Sequence, residues 1–73
     1  MNNFPEAQVY LQHAITLMPE DPIVNDHFAD CLWMNNKKIQ ARYYWKYVLT
    51  LEDTKKELRQ KIENKLLFGL EKS

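Results

Sequence analysis

The sequence contains very little glycine and cysteine, and both shortages exclude classes of function. Among 73 residues there is one glycine, Gly69, so the chain has no glycine-rich loop to bind a phosphate group. The one cysteine, Cys31, cannot form an intramolecular disulfide, and nothing indicates an oxidising compartment. No apolar run approaches the ~20 residues that cross a membrane. A nucleotide-binding enzyme, a disulfide-stabilised module and a membrane-spanning protein are therefore disfavoured.

Positive charge is missing from the first half of the chain. No lysine or arginine precedes Lys37, so residues 1–36 carry a net charge of −5 and residues 37–73 carry +5. This separation disfavours nonspecific nucleic-acid binding by the domain as a whole. The start, Met1 to Pro5, has neither a basic segment nor an apolar one, so we expect a cytoplasmic protein without a signal peptide.

Apolar residues recur at helical spacing in four segments, which predicts a single all-α domain of four antiparallel helices. The predicted helices cover about residues 5–18, 22–35, 38–51 and 54–68, joined by connections of a few residues. Their predicted inward faces are Ala7, Tyr10, Leu11, Ala14 and Ile15 in the first helix; Val24, Phe28, Cys31, Leu32 and Asn35 in the second; Ala41, Tyr44, Trp45, Val48 and Leu49 in the third; and Leu58, Ile62 and Leu66 in the fourth.

Several helix ends are marked by their residue types. Asp21 followed by Pro22 predicts an N-cap and a first-turn proline for the second helix. Asn36 tolerates a left-handed backbone and is the predicted C-terminal cap of that helix. Thr54 and Glu57 have the spacing of a capping box, which predicts that the fourth helix begins with reciprocal side-chain bonds to the backbone.

The chain nearly repeats itself after 34 residues. Ala7, Tyr10, Thr16 and Leu17 recur as Ala41, Tyr44, Thr50 and Leu51. With Phe28, Ala29, Leu32, Trp45 and Val48, these positions resemble the tetratricopeptide repeat family, whose units are helix–turn–helix pairs of this length. The resemblance implies one full repeat from Pro22 to about Lys55, flanked by half repeats. Asn25 departs from the family pattern, which favours a large aromatic residue there, and Asn36 replaces the usual glycine.

The resemblance implies a protein–protein interaction scaffold, with no catalytic role and no cofactor, that binds a protein or peptide along its concave face. Asp26, Asp30 and Trp33 share one face of the second helix by spacing. The competing interpretation is that the two acids are merely solvated and that Trp33 covers a neighbouring helix. The positions that the resemblance assigns to the concave face are Asp26, Asp30, Trp33, Met34, Gln60, Asn64 and Leu67.

Two specific ligand types are disfavoured. Some relatives grip a chaperone's C-terminal carboxylate with basic residues in this groove, but the matching positions here are Asp26 and Asp30, and Lys61 is the one nearby cation expected. His27 and Cys31 have ligand spacing on a helix, but a structural zinc site needs four nitrogen or sulfur ligands. We therefore expect no metal site.

A helix-turn-helix nucleic-acid module is the alternative from another class. The cluster Lys37, Lys38, Arg42 and Lys46 lies at the start and along one side of the third helix. That helix must also bury its aromatic residues, so a solvated basic face is the favoured interpretation of the cluster.

The first helix corresponds to the second helix of a repeat, so its own partner is missing from the sequence. Phe4 and the far side of this helix would pack against that partner. Our hypothesis is that the chain is part of a longer array or self-associates through its first helix, because large exposed apolar surfaces usually mark interfaces. A remnant without an independent function is the remaining alternative.

Overall fold

A computed structural model describes residues 4–70 of the chain, with side chains from Glu6 onward. Within these residues there are four α-helices and no β-strand. They are α1 (Phe4–Leu17), α2 (Pro22–Met34), α3 (Lys38–Thr50) and α4 (Lys56–Phe68). The predicted all-α class is confirmed, and every helix end lies within two residues of its predicted position. The packing predicted for the Phe4 side chain falls outside the described part.

The start of α2 forms as predicted. The backbone of Asp21 is extended. Its carboxylate accepts hydrogen bonds from the amides of Ile23 at 2.9 Å and Val24 at 3.0 Å. Pro22 occupies the first turn, where its missing N–H leaves no bond unmade. Two of the amides that a helix start leaves without a backbone partner are thereby satisfied.

The end of α2 is fixed by a left-handed residue, as predicted for Asn36. Its φ is 67°, and among residues 4–70 it is the one non-glycine residue with a positive φ. The Asn36 amide donates to the Trp33 carbonyl at 3.0 Å, and the Lys37 amide donates to the Leu32 carbonyl at 2.8 Å. This pair of bonds is a Schellman motif, which turns the chain tightly from α2 into α3.

The capping box predicted at the start of α4 is wrong. The N-cap position is Lys55, which makes no side-chain bond to the helix. Thr54 is buried instead, and its hydroxyl donates to the Val48 carbonyl at 2.7 Å, near the end of α3. The hydroxyl bonds to the preceding helix because a buried hydroxyl without a hydrogen-bond partner is unfavourable, and the Val48 carbonyl lies within reach.

The core lies between α2 and α3 and extends to α4. Each helix packs on its neighbours in sequence, and α2 with α3 forms the most extensive pairing. Trp45, which is predicted to face inward, is fully buried and is the largest such side chain in the described residues. The buried cluster consists of Phe28, Ala29, Leu32, Ala41, Trp45, Val48 and Ile62. The helices therefore share one layer of apolar contacts in a repeat-like arrangement.

The inward position predicted for Tyr10 is wrong. Its side chain is 75% exposed, whereas Leu11 and Ile15 of the same helix pack against the core. The equivalent residue one repeat later, Tyr44, is half-buried and meets the Phe28 ring edge-on at 4.9 Å between centroids. The difference arises because α2 covers this side of α3, while no described helix covers the same side of α1.

Candidate functional site: a groove between α2 and α4

An open groove with a volume of about 480 Å³ runs between α2 and α4. Helix α2 supplies Asp26 and Asp30, which lie one turn apart on the same side of the helix. The facing side of α4 supplies Leu58, Lys61 and Lys65. The groove is therefore built by two helices that start 34 residues apart in the sequence.

Lys65 joins both carboxylates at the floor of this groove. Its ammonium Nζ lies 2.9 Å from Asp26 Oδ1, and it lies 3.0 Å and 3.1 Å from the two carboxylate oxygens of Asp30. Asp30 Oδ1 also accepts the indole N–H of Trp45 at 3.1 Å. One cation thus serves two anions, and this cluster ties α2 to α4 while keeping a net charge of −1 when all three groups are ionised.

The protonation of these groups is shifted by burial and by their neighbours. Burial raises the pKa of Asp30 above its ordinary value of 3.8, and the charge of Asp26 raises it further, although Lys65 and Trp45 act in the opposite direction. Burial alone would lower the pKa of Lys65, but its hydrogen bonds and charge interactions with both aspartates raise it above 10.5. Lys65 is therefore a cation throughout the neutral range.

The expectation that Lys61 is the one nearby cation is wrong. Lys65 makes the contacts with Asp26 and Asp30, while Lys61 is exposed at the groove wall. The two lysines differ by one helical turn, and the choice between them depends on how far α4 is shifted along α2. The sequence pattern of either helix does not contain that shift.

Trp33 and Met34 lie at the other end of α2 and do not line this groove. They border a separate depression of about 290 Å³, together with Leu70. The Trp33 ring lies against that of Trp45 with 5.4 Å between centroids, and the Lys38 ammonium lies 5.0 Å above it. Trp33 therefore covers a core residue of α3, which is the competing interpretation considered for it above.

The three site residues assigned to α4 are exposed and lie outside the groove. They are Gln60, Asn64 and Leu67. The groove takes its α4 side chains from Glu57, Leu58, Lys61 and Lys65 instead. Of the seven residues assigned from the sequence, two thus line this groove, Asp26 and Asp30. The assignment of the others to one binding face stays a prediction of the family resemblance.

Asn25 has a structural role that the sequence did not reveal. Its side chain is 1% exposed, and its amide Nδ2 donates to the carbonyls of Pro19 at 3.0 Å and Asp21 at 2.8 Å. These two bonds hold the turn between α1 and α2. A polar residue at an otherwise apolar family position was the one available signal.

Two arginines fix α4 in place by bonding to backbone carbonyls. Arg59 donates to the carbonyls of Leu49 at 2.8 Å, Leu51 at 3.0 Å and Thr54 at 3.2 Å, which orders the turn between α3 and α4. Arg42 donates to the Leu66 carbonyl at 2.6 Å. A solvated role for Arg42 within the basic cluster is therefore wrong, because its guanidinium is committed to the end of α4.

The environment of Cys31 does not favour metal binding. The side chain is buried, and burial together with the charge of Asp30 raises the pKa of the thiol above 9.0, so it stays protonated at neutral pH. His27, one turn earlier, is exposed. Within residues 4–70, no group of three or more histidine, cysteine, aspartate or glutamate side chains is arranged to hold a metal ion.

Comparison with protein-family models, with curated proteins and with solved structures gives no match. In the same described range, none of the four helices is both long enough and apolar enough to cross a membrane.

Proposed function

We propose that this domain is a tetratricopeptide-like interaction module that binds a protein or peptide segment in the groove between α2 and α4, with no catalytic role and no cofactor. The observation that carries the proposal is the groove itself, which is open along its length and formed by two helices one 34-residue period apart. A cleft between equivalent helices suits an extended or helical segment, since such segments bury side chains at regular intervals.

The charge of the groove selects the class of segment. Its acidic side chains outnumber its lysines. Lys65 offsets the charge of one of its two aspartate partners, and further acidic residues line the groove. The acidic members are Asp21, Asp26, Asp30, Asp53 and Glu57, against Lys55, Lys61 and Lys65. Ile23 and Leu58 add apolar surface on opposite walls. A segment that combines basic and apolar side chains complements these walls.

Binding of defined peptides tests this proposal. We expect peptides that alternate lysine or arginine with leucine to bind more tightly than the same peptides with glutamate in the basic positions, as measured by fluorescence polarisation. Glu57→Lys, at the groove wall, should weaken binding of the basic peptides by about tenfold, because it replaces an attractive charge with a repulsive one.

Glu20→Lys is the matched control, since Glu20 is exposed, lies outside the groove and gives the same change in net charge. It should leave the affinity nearly unchanged. Equal losses of affinity in both variants would mean that only the net charge of the domain matters. The absence of any preference for basic peptides would overturn the proposal.

A further inference from the structure

A second groove lies on the side of α2 opposite to the acidic one. This α1–α3 groove has a volume of about 640 Å³ and runs between α1 and α3, with Phe28 and Leu32 of α2 buried at its floor. Phe28 is two positions from Asp26, a spacing that places the two side chains on nearly opposite sides of a helix. Both walls and the floor belong to the described chain, so a further helix is not needed to form this groove.

Tyrosine rings form part of one wall of the α1–α3 groove. Tyr44 meets Phe28 edge-on with 4.9 Å between ring centroids, and Tyr43 meets Tyr44 edge-on at 5.2 Å. Tyr43 is 66% exposed, so this series of rings runs from the core to the surface. Grooves lined by aromatic residues bind proline-rich segments, because the flat apolar ring of proline packs on an aromatic face.

Glutamine side chains line both walls. They are Gln8 and Gln12 from α1 and Gln40 from α3. The oxygen of the Gln8 side chain accepts the Asn35 amide at 2.7 Å, so the amide hydrogens of Gln8 remain donors. A helical ligand satisfies its own backbone groups, whereas a polyproline segment has no internal hydrogen bonds and presents its carbonyls to such donors. The glutamines therefore favour an extended segment.

The charge of the α1–α3 groove is opposite in sign to that of the groove between α2 and α4. Among the described residues that line it, Lys37 is the one charged side chain, and it is exposed. Lys37 is also the N-cap residue of α3, where the positive end of the helix dipole adds to its charge. Helix α3 contains no acidic residue. A carboxylate on a bound segment thus meets Lys37 without a competing acid in the groove.

We propose that the α1–α3 groove is a second interaction surface, which binds an extended, proline-containing segment that carries acidic residues. The prolines pack on Tyr43 and Tyr44, the backbone carbonyls accept hydrogen bonds from the glutamines, and a carboxylate pairs with Lys37. Because the two grooves select ligands of opposite charge on opposite sides of α2, the domain can hold two different partners at once. The inference goes beyond peptide binding between α2 and α4 and does not depend on it.

A labelled peptide with repeats of one glutamate followed by two prolines tests the proposal by fluorescence polarisation. We expect it to bind more tightly than the same peptide with lysine in place of glutamate, and more tightly than one with alanine in place of proline. Tyr43→Ala should weaken binding about tenfold because it removes an exposed ring, and Lys37→Glu should weaken it by a similar factor because it reverses the attractive charge.

Each of these variants has a matched control. Tyr10→Ala removes a tyrosine that is 75% exposed and outside the groove, and Lys56→Glu gives the same change in net charge at an exposed position outside both grooves. Both should leave the affinity nearly unchanged. Glu57→Lys, which alters the groove between α2 and α4, should do the same, so a failure of one proposal is distinguishable from a failure of the other.

The side-chain amide resonances of glutamine locate the bound peptide by NMR. Those of Gln8, Gln12 and Gln40 should shift on titration, whereas that of Gln60, exposed on α4, should stay in place. Circular dichroism of every variant separates a lost site from a lost fold.

Three results would overturn the proposal. The first is equal affinity for the glutamate and lysine peptides, and the second is an equal loss in Tyr43→Ala and Tyr10→Ala. The third is tighter binding of single-stranded oligothymidylate than of the acidic peptide, with the same dependence on Tyr43 and Lys37, which would assign the surface to nucleic acid.

Discussion

Lys65 of α4 stabilises the packing of α4 on α2, because it pairs with the two aspartates on the facing side of α2. It is the shared partner of Asp26 and Asp30, and its side chain is 18% exposed. Two carboxylates this close would repel each other without it. The same residue therefore supports the fold and sets the charge at the floor of the groove.

Replacing Lys65 by methionine should destabilise the domain by about 3 kcal/mol, because it leaves two partly buried carboxylates without a cation. Urea unfolding followed by circular dichroism measures the loss. Lys61→Met is the matched control, as Lys61 is one turn earlier on α4 and exposed, and we expect it to cost less than about 1 kcal/mol. Similar losses for both variants would show that the contact with Asp26 and Asp30 contributes no stability.

The raised pKa of Asp30 predicts a specific dependence of stability on pH. Because the folded state binds this proton more tightly than the unfolded chain, the associated stabilisation is complete below about pH 4 and is lost as the pH rises through the folded pKa. Asp30→Asn retains an oxygen acceptor for Trp45 but cannot titrate. The difference in unfolding free energy between the unmodified chain and this variant should therefore change across that window and be constant well above it.

Carbon-detected NMR titration of the carboxyl groups tests the cause of the shift. Asp26→Asn removes one of the two influences that raise the pKa of Asp30, so that pKa should fall toward its ordinary value. An unchanged pKa of Asp30 in this variant would mean that the charge of Asp26 does not contribute to the shift. Asp21→Asn serves as the comparison, because the Asp21 carboxylate accepts from the amides of Ile23 and Val24 at the start of α2.

The helices differ in how far their ends follow from sequence. Both ends of α2 are set by residues next to them, Asp21 and Asn36, and both were predictable for that reason. The start of α4 was not, because Thr54 bonds to Val48 of the preceding helix instead of to its own. Local pattern specifies a helix end only where its polar groups have no stronger partner elsewhere in the fold.

Asn36 offers a direct test of the helix-end geometry. Asn36→Ala should destabilise the domain by about 1 kcal/mol, because alanine is strained in the left-handed conformation at φ 67°. Asn36→Gly should be neutral or slightly stabilising, since glycine accepts that conformation without strain. Thermal unfolding of both variants measures the contrast, and equal effects of alanine and glycine would contradict a left-handed residue at this position.

Only the part of the candidate site that lies within one helix was predictable from the sequence. The alignment of Asp26 and Asp30 follows from their spacing of four residues. Their partner is on α4, and its identity depends on the position of α4, which Arg59 and Arg42 fix through backbone carbonyls. Contacts between residues separated by more than 30 positions depend on how the helices pack, and the periodicity of a single helix carries no information about that.

Burial is concentrated in the centre of the domain and falls off toward both ends. Trp45 is 0% exposed and belongs to the main buried cluster. Leu11, its equivalent on α1, is half-buried. The repeat is therefore regular in sequence position but unequal in its contribution to stability.

Truncation of these two equivalent residues should give very different losses. Trp45→Ala should cost about 3–5 kcal/mol, which approaches the total stability expected for a small domain. Leu11→Ala should cost less than half as much, because a half-buried leucine loses less contact. Chemical unfolding of both variants measures the ratio, and equal losses would show that α1 is as firmly packed as the centre.

The contact between Trp33 and Trp45 also determines what spectroscopy can detect in this chain. These are its two tryptophans, and their rings are 5.4 Å apart at the junction of α2 and α3. Indole fluorescence and coupled near-ultraviolet dichroism thus report on that junction. They also sense the docking of α4, because the Lys65 ammonium lies 5.8 Å from the Trp45 ring, whereas α1 carries no tryptophan. A tryptophan placed at Tyr10 would give the outer helix an optical probe of its own.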